Sequence, residues 1–159
     1  MTDGTTATEA IRASDPTAVR YDADVLADAL ERPRPTAQQR AVIESPLAPA
    51  LVVAGAGSGK TETMASRVVW LLANGFVRPD QVLGLTFTRK AAGELGVRIG
   101  ERIGALEHAG LIAPGDAFEA PTVSTYNAFA NAVFRENALL VGRDGESQVL
   151  TEPLSLIHI

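Results

Sequence analysis

The chain has 159 residues, 46% of them hydrophobic and 5% aromatic, enough for one domain with a core of Ala, Val, Leu and Ile. Cysteine is absent, which excludes disulfides, a thiol nucleophile and a thiolate metal site, and two histidines cannot make a metal cluster. The net charge of -5 is uneven: residues 1–32 hold seven acids against three bases and residues 33–150 eleven of each, so any nucleic-acid contact must come from a local patch.

Residues 1–16 are polar and read as a disordered leader. They lack the basic and apolar regions of a secretory signal, and no apolar run is long enough to span a bilayer, so a cytoplasmic protein is expected. Residues 17–31 predict a helix with Val19, Val25, Leu26 and Leu30 facing inward, ended by Pro33 and Pro35. Thr36 and Gln39 form a capping box for a short helix that ends by Ser45-Pro46. The apolar run Ala50–Ala54 is short and non-alternating, which predicts a strand buried on both faces of a parallel sheet. A loop from Gly55 to Gly59 leads into a helix over Lys60–Ala73, with Met64, Val68, Leu71 and Leu72 at helical spacing and Asn74-Gly75 as its stop.

A second strand is predicted over Gln81–Phe87. It is followed by a helix over Lys90–Ile103 with Ala91, Leu95, Ile99 and Ile103 on one face, weakened by Gly93, Gly96 and Gly100. A loop over 108–121 precedes a third strand, Thr122–Ser124, and a helix over Ala128–Asn137 that should bury Phe129, Val133 and Phe134. Strands alternating with helices predict an α/β domain with a mainly parallel sheet.

The strongest chemical signal is Ala54-Gly55-Ala56-Gly57-Ser58-Gly59-Lys60-Thr61. It matches the phosphate-binding pattern G-x-x-x-x-G-K-[ST] except that Ala54 stands at the first Gly. Glycines let backbone N–H groups turn toward phosphate oxygens, and the helix that follows brings its partial positive charge to the same point. Lys60 would reach the β- and γ-phosphates of ATP, and the Thr61 hydroxyl would bind Mg²⁺. The chain has twelve arginines and two lysines, Lys60 and Lys90, so a compact ammonium persists only inside motifs.

With these residues in view, the sequence resembles the UvrD/Rep/PcrA helicases of superfamily 1. The form AGAGSGKT, with alanine first, is usual in that group. Pro35-Thr36-Ala37-Gln38-Gln39 resembles the family's Q motif, with Pro35 in place of Leu, and implies that Gln39 reads the adenine edge. Thr86-Phe87-Thr88-Arg89-Lys90-Ala91-Ala92-Gly93-Glu94-Leu95 is similar to motif Ia, and Val123-Ser124-Thr125-Tyr126-Asn127-Ala128-Phe129-Ala130 to motif Ib. The resemblance implies single-stranded DNA contacts from Thr86, Phe87, Thr88, Arg89, Lys90, Thr125, Tyr126 and Asn127. From the residues alone, Phe87 can stack on a base or plug the core, and Thr125 can open a helix as its cap. Asn127 stands where the family has His, so nothing that needs an imidazole carries over.

The resemblance covers residues 35–137 and implies a partial RecA-like P-loop NTPase domain, truncated, within an ATP-dependent 3′-to-5′ DNA helicase or translocase of DNA repair. The Thr-Tyr-Asn-Ala-Phe-Ala variant and the arginine bias point to the actinobacterial branch and to a helicase–nuclease partner subunit. The family's carboxylate motif (Asp-Glu-x-Gln-Asp) and second RecA-like domain are missing, and Asp144 and Glu146 lack the apolar strand that such a motif follows. The chain alone is therefore expected not to hydrolyse ATP. Its last residues, Leu154–Ile159, read as an in-frame sequencing-adapter scar. The alternatives are a non-hydrolysing nucleotide- or DNA-binding module, and another P-loop enzyme such as a small kinase, which would need its own carboxylate motif and lid.

Overall fold

A computed structural model describes residues 19–112 and 120–144. The leader over 1–16, part of the 108–121 loop, Glu146 and the 154–159 tail lie outside the described residues. The elements run α1 (Ala23–Ala29), α2 (Ala37–Ile43), α3 (Lys60–Ala73), β1 (Leu83–Thr86), α4 (Arg89–His108), β2 (Thr122–Thr125) and α5 (Tyr126–Asn137). Short 3-10 turns precede β1 at Pro79–Gln81 and follow α5 at Ala138–Val141. Strands β1 and β2 are parallel neighbours in register from Leu83↔Thr122 to Thr86↔Thr125, with α4 as the crossover. The described part is thus an α/β unit with a parallel sheet, compatible with a partial RecA-like domain. No helix among the described residues is long and apolar enough to cross a membrane.

Local chemistry sets the helix ends. Asp22, Thr36, Thr88 and Thr125 each cap a helix by accepting a backbone N–H three residues on. Helix α3 ends where expected: Gly75 has φ +71°, its N–H reaches Leu72 O, and the N–H of Phe76 reaches Leu71 O. The same motif closes α4 at Gly110, with the Leu111 N–H on Leu106 O. Helix α4 therefore runs five residues past the predicted Ile103, its glycines notwithstanding. Burial of Ala92, Leu95, Ile99, Ile103 and Leu106 holds it. Each buried Leu or Ile contributes about 1.5–3 kcal/mol, more than the roughly 1 kcal/mol a helical glycine costs.

Two hydrophobic clusters form the core. One joins α1, α2, α3 and the end of α4 through Leu26, Ile43, Val69, Trp70 and Leu106. The other packs Ala65 of α3 on Leu95, Ile99 and Ile103 of α4, with Val68, Leu72 and Val123 at its border. The inward face of α4 begins at Ala92, while the predicted Ala91 is exposed. Met64, Val19 and Val25 also lie on exposed faces, because Ala65 and the Ala23/Leu26/Ala27 set take the inward positions.

Two further predictions are overturned. Residues 51–54 form no strand, and Leu51 and Val53 are 89% and 87% exposed. A strand exists only with a hydrogen-bonded neighbour, and among the described residues β1 and β2 pair only with each other. Helix α5 buries none of its residues: Phe129 is half-buried and Val133 and Phe134 are exposed. Its described neighbours are β1, β2 and the turn that follows it, which leave that face uncovered.

Candidate functional site

The Gly55–Gly59 loop lies between the extended 51–54 segment and α3. Gly57 and Gly59 have φ of +75° and +78°, which side chains rarely adopt. A Cβ on Gly59 would also sit 2.9 Å from Gln39 Nε2. The Ser58 hydroxyl donates to Gly55 O at 2.8 Å and tightens the turn. Lys60 Nζ folds back over the loop, donating to Ala54 O at 3.0 Å and to Gly55 O. No side chain caps α3, so its first-turn N–H groups are not taken up by a cap. Thr61 is exposed on that turn, whereas the Thr63 hydroxyl is tied to Gly59 O at 3.0 Å.

Gln39 joins α2 to the loop. Its Oε1 accepts the Thr36 N–H at 2.9 Å, completing the capping box, and its Nε2 donates to Ser58 O at 3.3 Å. A primary amide keeps one N–H and one acceptor lone pair after these bonds, so Gln39 can cap and still face a base. A cleft of about 590 Å³ is lined by Gln39, Val42, Val53, Ala54, Lys60 and Met64, among others. These residues fit a nucleoside triphosphate: donors and an ammonium at the loop, apolar surface and an amide beside it. For Mg²⁺ the Thr61 hydroxyl stands at the loop; among the described residues no group of three His, Asp or Glu could hold a metal.

A second surface lies at the carboxyl ends of the strands. Thr86 and Thr125 are register partners, so the next residues, Phe87 and Tyr126, emerge side by side. Their ring centroids are 5.3 Å apart and tilted by 36°. Phe87 is 91% exposed among the described residues. Thr88 and Thr125 spend their oxygens on caps, and the Thr86 hydroxyl donates to Thr88 O at 3.0 Å. Arg89 and Asn127 are exposed, and Lys90 stands in solvent 3.8 Å from Glu94. The structure therefore brings together the Ia and Ib residues as one patch and the Q-motif and loop residues as another.

Three polar residues that no sequence motif marks organise this arrangement. Arg67 donates to the carbonyls of Val42, Ile43, Ser45 and Pro46, holding the end of α2 against α3. Burial lowers its pKa below the usual guanidinium value. Glu62 and the buried Arg102 pair across α3 and α4. The members of the pair lie 40 positions apart, and no local pattern marks them.

A parallel α/β unit with a glycine loop opening a helix defines the class, a partial RecA-like P-loop NTPase fold. The family follows from comparison: the UvrD/REP helicase N-terminal domain matches residues 35–156, and the chain belongs to that family. It is similar to ATP-dependent DNA helicase UvrD1 of Mycobacterium leprae, 37% identical over 105 residues, which is 66% of this chain and 12% of that protein. It is 47% identical over 81 residues to DNA helicase IV of Escherichia coli (51% of this chain, 12% of that protein). With DNA helicase II of the same organism the identity is 42% over 67 residues (42% and 9%). The chain thus spans about a tenth of the length of these relatives.

Proposed function

We propose that this chain is the nucleotide- and single-stranded-DNA-binding part of an ATP-dependent DNA helicase or translocase moving 3′ to 5′. The observation that carries it is the open loop of Gly57, Gly59 and Lys60 on the same unit as the exposed Phe87–Tyr126 pair. In this reading the loop N–H groups and the α3 terminus hold the phosphates of ATP. Lys60 exchanges its carbonyl partners for the β- and γ-phosphates, and the Thr61 hydroxyl takes a position on Mg²⁺, which would neutralise phosphate charge. Gln39 faces the adenine edge. Phe87 and Tyr126 offer a stacking platform for bases, while Arg89, Lys90 and Asn127 meet the backbone.

A second reading is a binding module without turnover, which the same open loop and strand-end patch would serve. It predicts the same binding with no hydrolysis. Lys60→Ala tests both. A fluorescent ATP analogue should bind the parent chain with Mg²⁺ and lose affinity about 10- to 150-fold in the variant, the range of a charged hydrogen bond removed. Binding of a labelled oligo-dT should stay within about threefold, since the strand-end patch is separate chemistry. Equal loss of both ligands would sink the two-patch assignment, and DNA-stimulated phosphate release by the chain would exclude the module reading.

A further inference from the structure

The residue after Lys60-Thr61 is Glu62, which the nucleotide cleft does not use. Its Oε1 accepts from Arg102 Nη2 and lies 3.8 Å from Arg32, and its Oε2 lies 3.6 Å from Arg98. One carboxylate at the first turn of α3 is therefore shared by three guanidinium groups. Two of them belong to α4, the helix whose first residues are Arg89 and Lys90.

The partners are unequal. Arg102 is 2% exposed, and its Nη1 also donates to Ser66 at 3.1 Å, one turn along α3. Burial lowers its pKa and Glu62 opposes that shift. A guanidinium so buried is tolerated only while paired. Arg32 and Arg98 are partly exposed and more distant, so they are the replaceable partners. The surroundings have slack as well. Arg102 Nε and Trp70 Nε1 are buried without a partner, and both residues line a cavity of about 60 Å³ beside Arg32, Glu62 and Ser66. That volume exceeds what a water needs.

Phosphate at the loop would place negative charge at the helix end that carries Glu62, and Glu62 ties that end to α4 through Arg102 and Arg98. We propose that Glu62 is a positioning residue: through Arg102 and Arg98 it makes the affinity of the α4 start for single-stranded DNA depend on nucleotide at the loop. This rests on the functional reading above. It requires reciprocal linkage, the nucleotide altering DNA affinity by the factor by which DNA alters nucleotide affinity.

The experiment titrates labelled oligo-dT against this chain with and without Mg²⁺ and a non-hydrolysable ATP analogue. The parent should show a coupling factor of about 5 to 150, the usual allosteric range. Glu62→Gln should bring the factor to within about twofold of unity, while the nucleotide-free DNA affinity moves by less than about threefold. A merely structural role would lower melting temperature and leave the ratio intact. Amide hydrogen exchange on the parent chain gives an arm that needs no variant: the analogue should change protection across residues 89–103. A ratio that survives in Glu62→Gln overturns the proposal. So does a parent that binds both ligands with a ratio of one, or no exchange change in α4. A parent that binds neither ligand refutes the functional reading itself.

Discussion

Helix starts in this molecule come in two kinds, and the contrast bears on the proposed placing of nucleotide and DNA. At α2, α4 and α5 a threonine stands in extended conformation, and its hydroxyl accepts an N–H at 3.3, 3.1 and 3.1 Å. At α3 the cap is Gly59 at φ +78°, with no side-chain bond. Each of the first three ends satisfies one of its own donors through that hydroxyl. The fourth presents donors and dipole outward, beside the ammonium of Lys60. An anion is thus offered backbone at one place, whereas the strand-end patch must work through side chains, chiefly Phe87, Tyr126 and Lys90.

Closing the open end should have the largest effect. Gly59→Ala forces a side chain into a left-handed backbone at a cost of about 1–2 kcal/mol and drives a Cβ against Gln39. Nucleotide affinity in the fluorescence assay should fall at least about tenfold while oligo-dT binding holds; unchanged nucleotide binding would mean that the loop geometry is not used. Next comes Phe87→Ala, which removes stacking worth about 1–3 kcal/mol per base and should weaken oligo-dT binding with no change in nucleotide affinity. Opening a closed end is smaller. Thr88→Ala should lower thermal stability by about 1 kcal/mol, seen by calorimetry, because an N-cap is lost. Should Thr88→Ala instead create a phosphate site at α4, the contrast between the two kinds of start would be sharpened. Smallest is Lys90→Ala, which should reduce the slope of log affinity against log salt for oligo-dT by about 0.7. An unchanged slope would show that Lys90 stays with Glu94 and not with DNA.

Features written in neighbouring residues are legible in the sequence itself. The glycine loop, the Thr36–Gln39 capping box and the Asn74-Gly75 stop all depend on contacts within a few positions, and each stands where the sequence places it. Features that depend on distant partners are not legible in this way. Residues 51–54 have strand chemistry but no described neighbour to pair with. The reach of α4 past Ile103 depends on Leu106 meeting the first core cluster and on Gly110. Glu62 and Arg102 lie 40 positions apart, so neither announces the other. The proximity of Phe87 and Tyr126 comes from parallel register, which composition does not encode.

The exposed apolar side chains have a practical consequence at the bench. Leu51, Val53, Leu139 and Leu140 are all more than four-fifths exposed, and β1 and β2 each have a neighbour on one side alone among the described strands. Exposed apolar side chains and open strand edges each invite a second molecule to add itself. Binding measured at high protein concentration would then report on oligomers, so titrations should keep the protein dilute and the nucleic acid in excess.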